Sequence, residues 1–178
     1  MLRITNKNTR EKARNITLAV FDVDGIMTDG GLHLLSDGSE IKTFNTLDGL
    51  GLKMLQSNNI KTAIITGRTS QQVAQRAQSL GVNFLQQGRE DKLSALKEIC
   101  DEQNIPLANC AYIGDDLPDL SAIKAVAFGV CVPNGHPFVI EHSDWCTSKS
   151  GGQGAAREFC EAILDAQGKL NSTYAEFL

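Results

Sequence analysis

An apolar run that ends on two aspartates and a glycine, Leu18-Ala19-Val20-Phe21-Asp22-Val23-Asp24-Gly25, constrains the fold of this chain more than any other stretch. From Ile16 to Phe21 the residues are bulky or β-branched without clean polar alternation, the pattern of a central parallel strand covered on both faces. The carboxyl end of such a strand opens on the ligand crevice of an α/β sheet. Two carboxylates delivered there repel each other and lose hydration, so something positive has to sit among them. Mg²⁺ meets that need as a hard cation that takes carboxylate and phosphate oxygens and keeps several waters. A surface turn also favours Asp and Gly, but it does not call for a buried strand ahead of it.

The rest of the chain alternates strand and helix signals. Leu32 to Phe44 predicts a small β-hairpin around Asp37-Gly38. A helix from Leu47 to about Asn58 leads to a strand over Thr62 to Thr66. Helices follow over Ser70 to Leu80, Asp91 to Gln103, Leu117 to Ile123, His136 to Glu141 and Ala155 to Ala166. Between them lie strands near Asn83 to Leu85, Cys110 to Ile113, Ala125 to Val130 and Trp145 to Thr147. That order predicts an α/β fold with a doubly wound, mostly parallel sheet, joined by right-handed crossovers. No inserted stretch is long enough for a cap domain. The expectation is one domain over residues 1–178, with residues 149–154 mobile and a mobile tail over residues 167–178.

Composition narrows the partners. The 178 residues carry a net charge of -4, which argues against general nucleic-acid binding, so an anionic substrate has to be met by local positive charge. No apolar stretch approaches the roughly 20 residues of a membrane span, and the polar start Met1 to Asn15 lacks a signal-peptide core, which points to a cytoplasmic protein. The five cysteines form no CxxC pair and suit reduced core thiols.

Three further polar clusters follow strands. Thr66-Gly67-Arg68 brings a hydroxyl, a close-approaching backbone and a guanidinium, a set suited to phosphate, although Thr69 or Ser70 would equally cap the next helix. Lys92 sits at a helix start, against the macrodipole; it is either a solvated lysine or an ammonium that neutralises carboxylates. Gly114-Asp115-Asp116-Leu117-Pro118-Asp119 puts more acid on the same sheet edge. Asp115 is the candidate to complete a metal site, with Asp116 and Asp119 as supporting or helix-capping groups.

In chain order, the acid pair, the hydroxyl, the lysine and the second acid cluster resemble the haloacid dehalogenase superfamily of phosphohydrolases. Asp22 and Asp24 match its first motif, Thr66 its second, Lys92 its third, and Asp115 with Asp116 or Asp119 its fourth. The resemblance extends to the capless 3-deoxy-D-manno-octulosonate 8-phosphate (KDO 8-phosphate) phosphatases. It runs through FDVDGIMTDG at 21–30, the hairpin, FNTLDGLG at 44–51, ITGR at 65–68, GDDLPDL at 114–120 and GGQGAAREFC at 151–160. Leu47 stands where that family usually has Arg, Pro118 where it has a polar residue, and Val130 to Asn134 where it is Ala-rich.

The resemblance implies a fold of haloacid dehalogenase type and Mg²⁺-dependent hydrolysis of KDO 8-phosphate in lipopolysaccharide precursor biosynthesis. Asp22 would be nucleophile and metal ligand. Asp24 would carry the proton, binding metal through its backbone carbonyl with its side chain off the metal, and Asp115 would complete the metal set. Thr66 and Lys92 would hold the phosphoryl group and neutralise charge. Asn45, Asp48, Gly49, Lys53, Gly67, Arg68 and Arg76 would contact the sugar acid, with Arg68 on its carboxylate. A homotetramer is implied, in which a neighbour's hairpin and the glycine-rich segment help close each site. A nine-carbon ulosonate phosphate is the alternative substrate. A phosphoacceptor of receiver type would share the Asp, Thr and Lys, but Asp24 argues for hydrolysis.

Overall fold

The computed structural model describes residue 4 and residues 6–178. A first helix, α1 (Lys7–Ala13), is capped by Asn6, whose side chain accepts the N–H groups of Asn8 and Thr9. The polar start gives this helix no apolar stripe in the sequence, and only its cap betrays it. β1 (Leu18–Phe21) follows and is buried at every position. Ala19 and Phe21 pack into one core layer, Leu18 and Val20 into the other, so the strand is covered on both sides as its composition predicts.

The hairpin pairs β2 (His33–Leu34) with β3 (Glu40–Ile41). Then come α2 (Thr46–Ser57), β4 (Lys61–Ile65), α3 (Gln71–Leu80), β5 (Phe84–Gln86), α4 (Lys92–Gln103) and β6 (Cys110–Ile113). Ser70 and Asp91 cap α3 and α4 through their side-chain oxygens. The helix expected over Leu117 to Ile123 divides into a 3₁₀ turn at Leu117–Asp119 and α5 (Leu120–Ala125). Pro118 and a reciprocal Asp116/Asp119 cap tighten that first turn. β7 (Phe128–Cys131), α6 (Pro137–His142), β8 (Trp145–Cys146), α7 (Ala155–Ala166) and α8 (Leu170–Ala175) complete the order.

Six parallel strands form one sheet in the order β5-β4-β1-β6-β7-β8. From β1 the chain steps outward through β4 and β5, returns to β6, and leaves in the other direction. β1 is therefore the switch point, where an open α/β sheet forms its crevice. The register sets Phe21 opposite both Ile64 and Ile113, so the residues just beyond these three strands emerge together on one edge.

Two segments differ from expectation. Residues 167–178 are not a loose tail: Leu170 and Thr173 of α8 are buried, and Asn58 Nδ2 donates to Thr173 Oγ1 at 2.9 Å. Leu170, Thr173 and the partly buried Tyr174 fix this helix, too little for a periodic signal. Residues 149–154, also expected to be mobile, pack against the turn after β1. Gly151 is buried, and a Cβ there would lie 1.7 Å from the carbonyl oxygen of Gly25, so only glycine permits the approach.

Candidate active site

Phe21 is the last residue of β1, and Asp22 continues its ladder by donating its backbone N–H to the Ile113 carbonyl at 3.1 Å. That bond aims the Asp22 carboxylate into a cavity of about 720 Å³ that is also lined by Asp24, Thr66, Gly67, Arg68, Lys92, Asp115 and Asp119. Gly25 then takes φ +91°, and a Cβ there would sit 2.1 Å from Asp115 Oδ2. The acid pair thus needs glycine both for the turn and to admit the second acid cluster.

Lys92, the first residue of α4, is nearly closed to solvent. Its Nζ is 2.9 Å from Asp22 Oδ1 and 2.6 Å from Asp119 Oδ1. Burial works against its charge, but Asp22 and Asp119 more than offset this and its pKa is raised. The misfit of a lysine at a helix start is resolved by these two partners. Thr66 is buried one residue beyond β4, and its backbone is held by Gln86 and Arg89. The hydroxyl and the guanidinium of Thr66-Gly67-Arg68 thus share one cavity with the acids.

Ligand atoms of Asp22, Asp115 and Asp119 lie within 4.8 Å of one another. Burial, with Asp119 beside it, pushes Asp22 well above the usual carboxylate range in spite of Lys92. The same two causes push Asp115 up to about 7. Three carboxylates face one ammonium here, a formal surplus of two negative charges. All-oxygen donors with that surplus fit Mg²⁺.

Asp24, expected to meet a metal through its backbone carbonyl with its side chain turned away, has its carboxylate apart from Asp22, Asp115 and Asp119. Its carboxylate is outside the metal cluster and takes Oδ1 to the ammonium of Lys42, which also stands 3.4 Å from Glu40 Oε1. Asp119 takes the cluster position. Its Oδ1 accepts Lys92 and the Tyr112 hydroxyl, and its Oδ2 accepts the backbone N–H groups of Asp115 and Asp116 at 3.2 Å. Asp116 caps the turn, accepting the N–H of Leu117.

Of the seven residues expected to contact substrate, only Gly67 and Arg68 line this cavity. Arg68 donates to Glu40 Oε2 at 2.8 Å. Asn45, Asp48, Gly49, Lys53 and Arg76 are not brought to it within one chain. Asn45 caps α2 and donates to the Gly152 carbonyl, and Arg76 donates to the Asn45 carbonyl. Gly49 makes room for the Arg76 guanidinium. Asp48 is buried, with Oδ1 on the backbone N–H of Arg157, and Lys53 is exposed on α2.

The sequence gives no separate signal for Tyr112, which reads as a core aromatic inside β6, or for Glu40 and Lys42, which read as hairpin polars. Alternation across the short hairpin, with its lone buried ammonium, is the one pattern that could have singled out Lys42.

Residues 84–159 match the model of a family described as haloacid dehalogenase-like hydrolase. The chain is 41% identical over 160 residues to the 3-deoxy-D-manno-octulosonate 8-phosphate phosphatase KdsC of Escherichia coli strain K12, covering 90% of this chain and 85% of that protein. The Salmonella typhi protein of the same name is 42% identical over the same share. Among solved structures, the Moraxella catarrhalis 3-deoxy-D-manno-octulosonate 8-phosphate phosphatase, in complex with magnesium ion, phosphate ion and a KDO molecule, superposes with TM-score 0.95. It is 46% identical and covers 97% of this chain and 100% of its own.

Proposed function

The chain belongs to the haloacid dehalogenase superfamily, in its family of 3-deoxy-D-manno-octulosonate 8-phosphate phosphatases, and from that membership we propose which of its residues do the work. It is a phosphoric monoester hydrolase that uses Mg²⁺ to release phosphate from KDO 8-phosphate. What carries the assignment of roles is the separation of the two aspartates after β1: Asp22 lies with Asp115 and Asp119, and Asp24 turns aside to Lys42.

Asp22 attacks phosphorus in line as the bond to the sugar oxygen breaks, giving an aspartyl-phosphate that water then hydrolyses. Lys92, 2.9 Å from Asp22 Oδ1, opposes the burial that favours a proton on Asp22 and fixes the carboxylate in place. When bound by Asp22, Asp115 and the Asp24 carbonyl, Mg²⁺ supplies neutralisation of charge on the transferring phosphoryl group. Thr66 and backbone N–H groups near Gly67 hold the phosphoryl oxygens. Asp24 gives its proton to the departing sugar oxygen and then takes one from the attacking water. Asp119 acts through Lys92 and the backbone of Asp115, fixing both.

Arg68 is the group for the sugar carboxylate, at the mouth of the cavity and 44% exposed. Lys53, exposed on α2, would reach the sugar of a neighbouring copy in a homotetramer, whereas Asn45, Asp48, Gly49 and Arg76 serve the packing and ends of α2 and α7. Leu32, Leu34, Leu35 and Ile41 leave the hairpin with an exposed apolar face suited to that assembly. No helix among the described residues is long and apolar enough to cross a membrane. A cytoplasmic setting belongs to the same reading, and cysteines without a paired spacing agree with it.

Steady-state kinetics with Mg²⁺ on KDO 8-phosphate and on a nine-carbon ulosonate 9-phosphate test the substrate. The octulosonate is expected to have the higher kcat/KM, and the reverse order would move the assignment to the longer sugar acid. Light scattering on the eluting peak tests the tetramer; a monomer that turns over at the full rate would remove it.

A further inference from the structure

Lys42 has no role in the chemistry described so far, yet it is placed as few lysines are. The hairpin delivers it from the residue after β3, and its side chain is only 2% exposed. A lysine is rarely buried without a partner. Its ammonium meets Asp24 Oδ1 and lies 3.4 Å from Glu40 Oε1. Arg68 closes the group, with NH2 on Glu40 Oε2 and Nε 4.0 Å from Asp24 Oδ2.

The formal charges divide the cavity into two sets. Asp22, Asp115 and Asp119 face Lys92 with a surplus of two negative charges, while Asp24 and Glu40 face Lys42 and Arg68 in balance.

We propose that Lys42 is a positioning residue for the leaving-group step: it holds Asp24 Oδ1 and leaves Oδ2 to carry the proton. The proposal rests on the reading of Asp24 as the proton carrier. Glu40 is the second partner that makes burial of the ammonium tolerable. As the P–O bond breaks, the bonding pair stays with the sugar oxygen, which takes the proton from Asp24 Oδ2. Lys42 itself exchanges no proton.

The test uses two leaving groups. The full chain with Mg²⁺ is assayed as wild type, Lys42→Met, Lys42→Arg and Asp24→Asn, on KDO 8-phosphate and on p-nitrophenyl phosphate, whose phenolate leaves without a proton. On the measure kcat/KM, which reports phosphoryl transfer to Asp22, Lys42→Met is expected to lose roughly 10²-fold on the sugar phosphate, the low end of a positioned acid's contribution. On the aryl phosphate the loss is expected to be several-fold at most. The sugar-phosphate loss falls on kcat rather than KM, and Lys42→Arg recovers most of it. Equal losses of Lys42→Met on both substrates, or no loss, overturn the proposal provided Asp24→Asn shows the leaving-group difference. If Asp24→Asn shows none either, the reading of Asp24 falls and the proposal with it. Should Lys42→Met fail to fold, Lys42→Gln, which keeps a donor of similar length, is put through the same comparison and the same outcomes decide.

Discussion

The carboxylate of Asp48 accepts the backbone N–H of Arg157 at 2.8 Å, so a residue in the first turn of α2 serves the start of α7, 109 residues further on. The position before α7 is Gly154, which has no side chain to offer. Burial raises the pKa of Asp48, and the N–H groups of Arg157, Gly154 and Ala156 restrain that rise. Asp48→Ala is expected to destabilise by about 1–2 kcal/mol, as loss of a cap does, read as a fall in Tm of roughly 2–8 °C for a chain of this size. Calorimetry checks this, and an unchanged Tm would show that α7 does not depend on the contact.

Asp22 and Asp24 are expected to fail differently. Asp22→Asn should abolish turnover and weaken the stabilisation of the protein by Mg²⁺. Asp24→Asn should also stop turnover of the sugar phosphate but keep the Mg²⁺-induced rise in Tm, because its carboxylate lies outside the metal cluster. Near-normal turnover by Asp22→Asn sinks the nucleophile assignment.

Asp115 links metal binding to pH. Its pKa, pushed from 3.8 up to about 7 by burial and by Asp119, lies above the unfolded value. The stability it gives the metal-free fold is full below about pH 4 and declines as pH rises toward 7. Mg²⁺ competes with that proton, so its effect on Tm should be small at pH 5 and grow to a plateau above pH 7. Thermal melts with Mg²⁺ or EDTA across this range measure it. In EDTA at pH 8, Asp115→Asn should raise Tm by roughly 2–4 °C, the shift that about 1 kcal/mol gives at this length, and should lose the response to Mg²⁺.

Lys92 holds two buried carboxylates, at 2.9 and 2.6 Å. Lys92→Met leaves both without a cation, a change that costs about 3–5 kcal/mol in buried pairs. The variant is expected to unfold at a far lower urea concentration than wild type, with part of the loss recovered by Mg²⁺. A midpoint unchanged by the substitution would mean the acids take up protons without strain on the fold.

The sheet was legible because its strands are continuous apolar runs and its helices carry side-chain caps: Ser70 and Asp91 mark where α3 and α4 begin. Asp22, Thr66, Lys92 and Asp115 could be read because each follows a strand or opens a helix on one edge. Asp119 was half visible, since an acid in the first turn of a helix is already explained as a cap. Its partner Tyr112 looks like any core aromatic until the hydroxyl is seen 2.8 Å from Asp119 Oδ1. Asn45, Asp48 and Arg76 carry polar groups that serve helix ends, and a linear pattern does not distinguish a polar group that faces a ligand from one that faces backbone. α1 and α8 escaped because each has few buried side chains, so neither shows an apolar face.

During synthesis the acid pair leaves the ribosome early and waits for nearly everything else. β1 gains its first neighbour with Lys61–Ile65 and its second only with Cys110–Ile113. The turn at Gly25 stays uncovered until Gly151 packs on its carbonyl and Gly152 donates to Ile26 at 2.9 Å. A nascent chain can thus carry all four acid and base clusters and still lack the lid of its own reaction turn. The reaction turn is completed only by residues made after the last strand of the sheet, Trp145–Cys146.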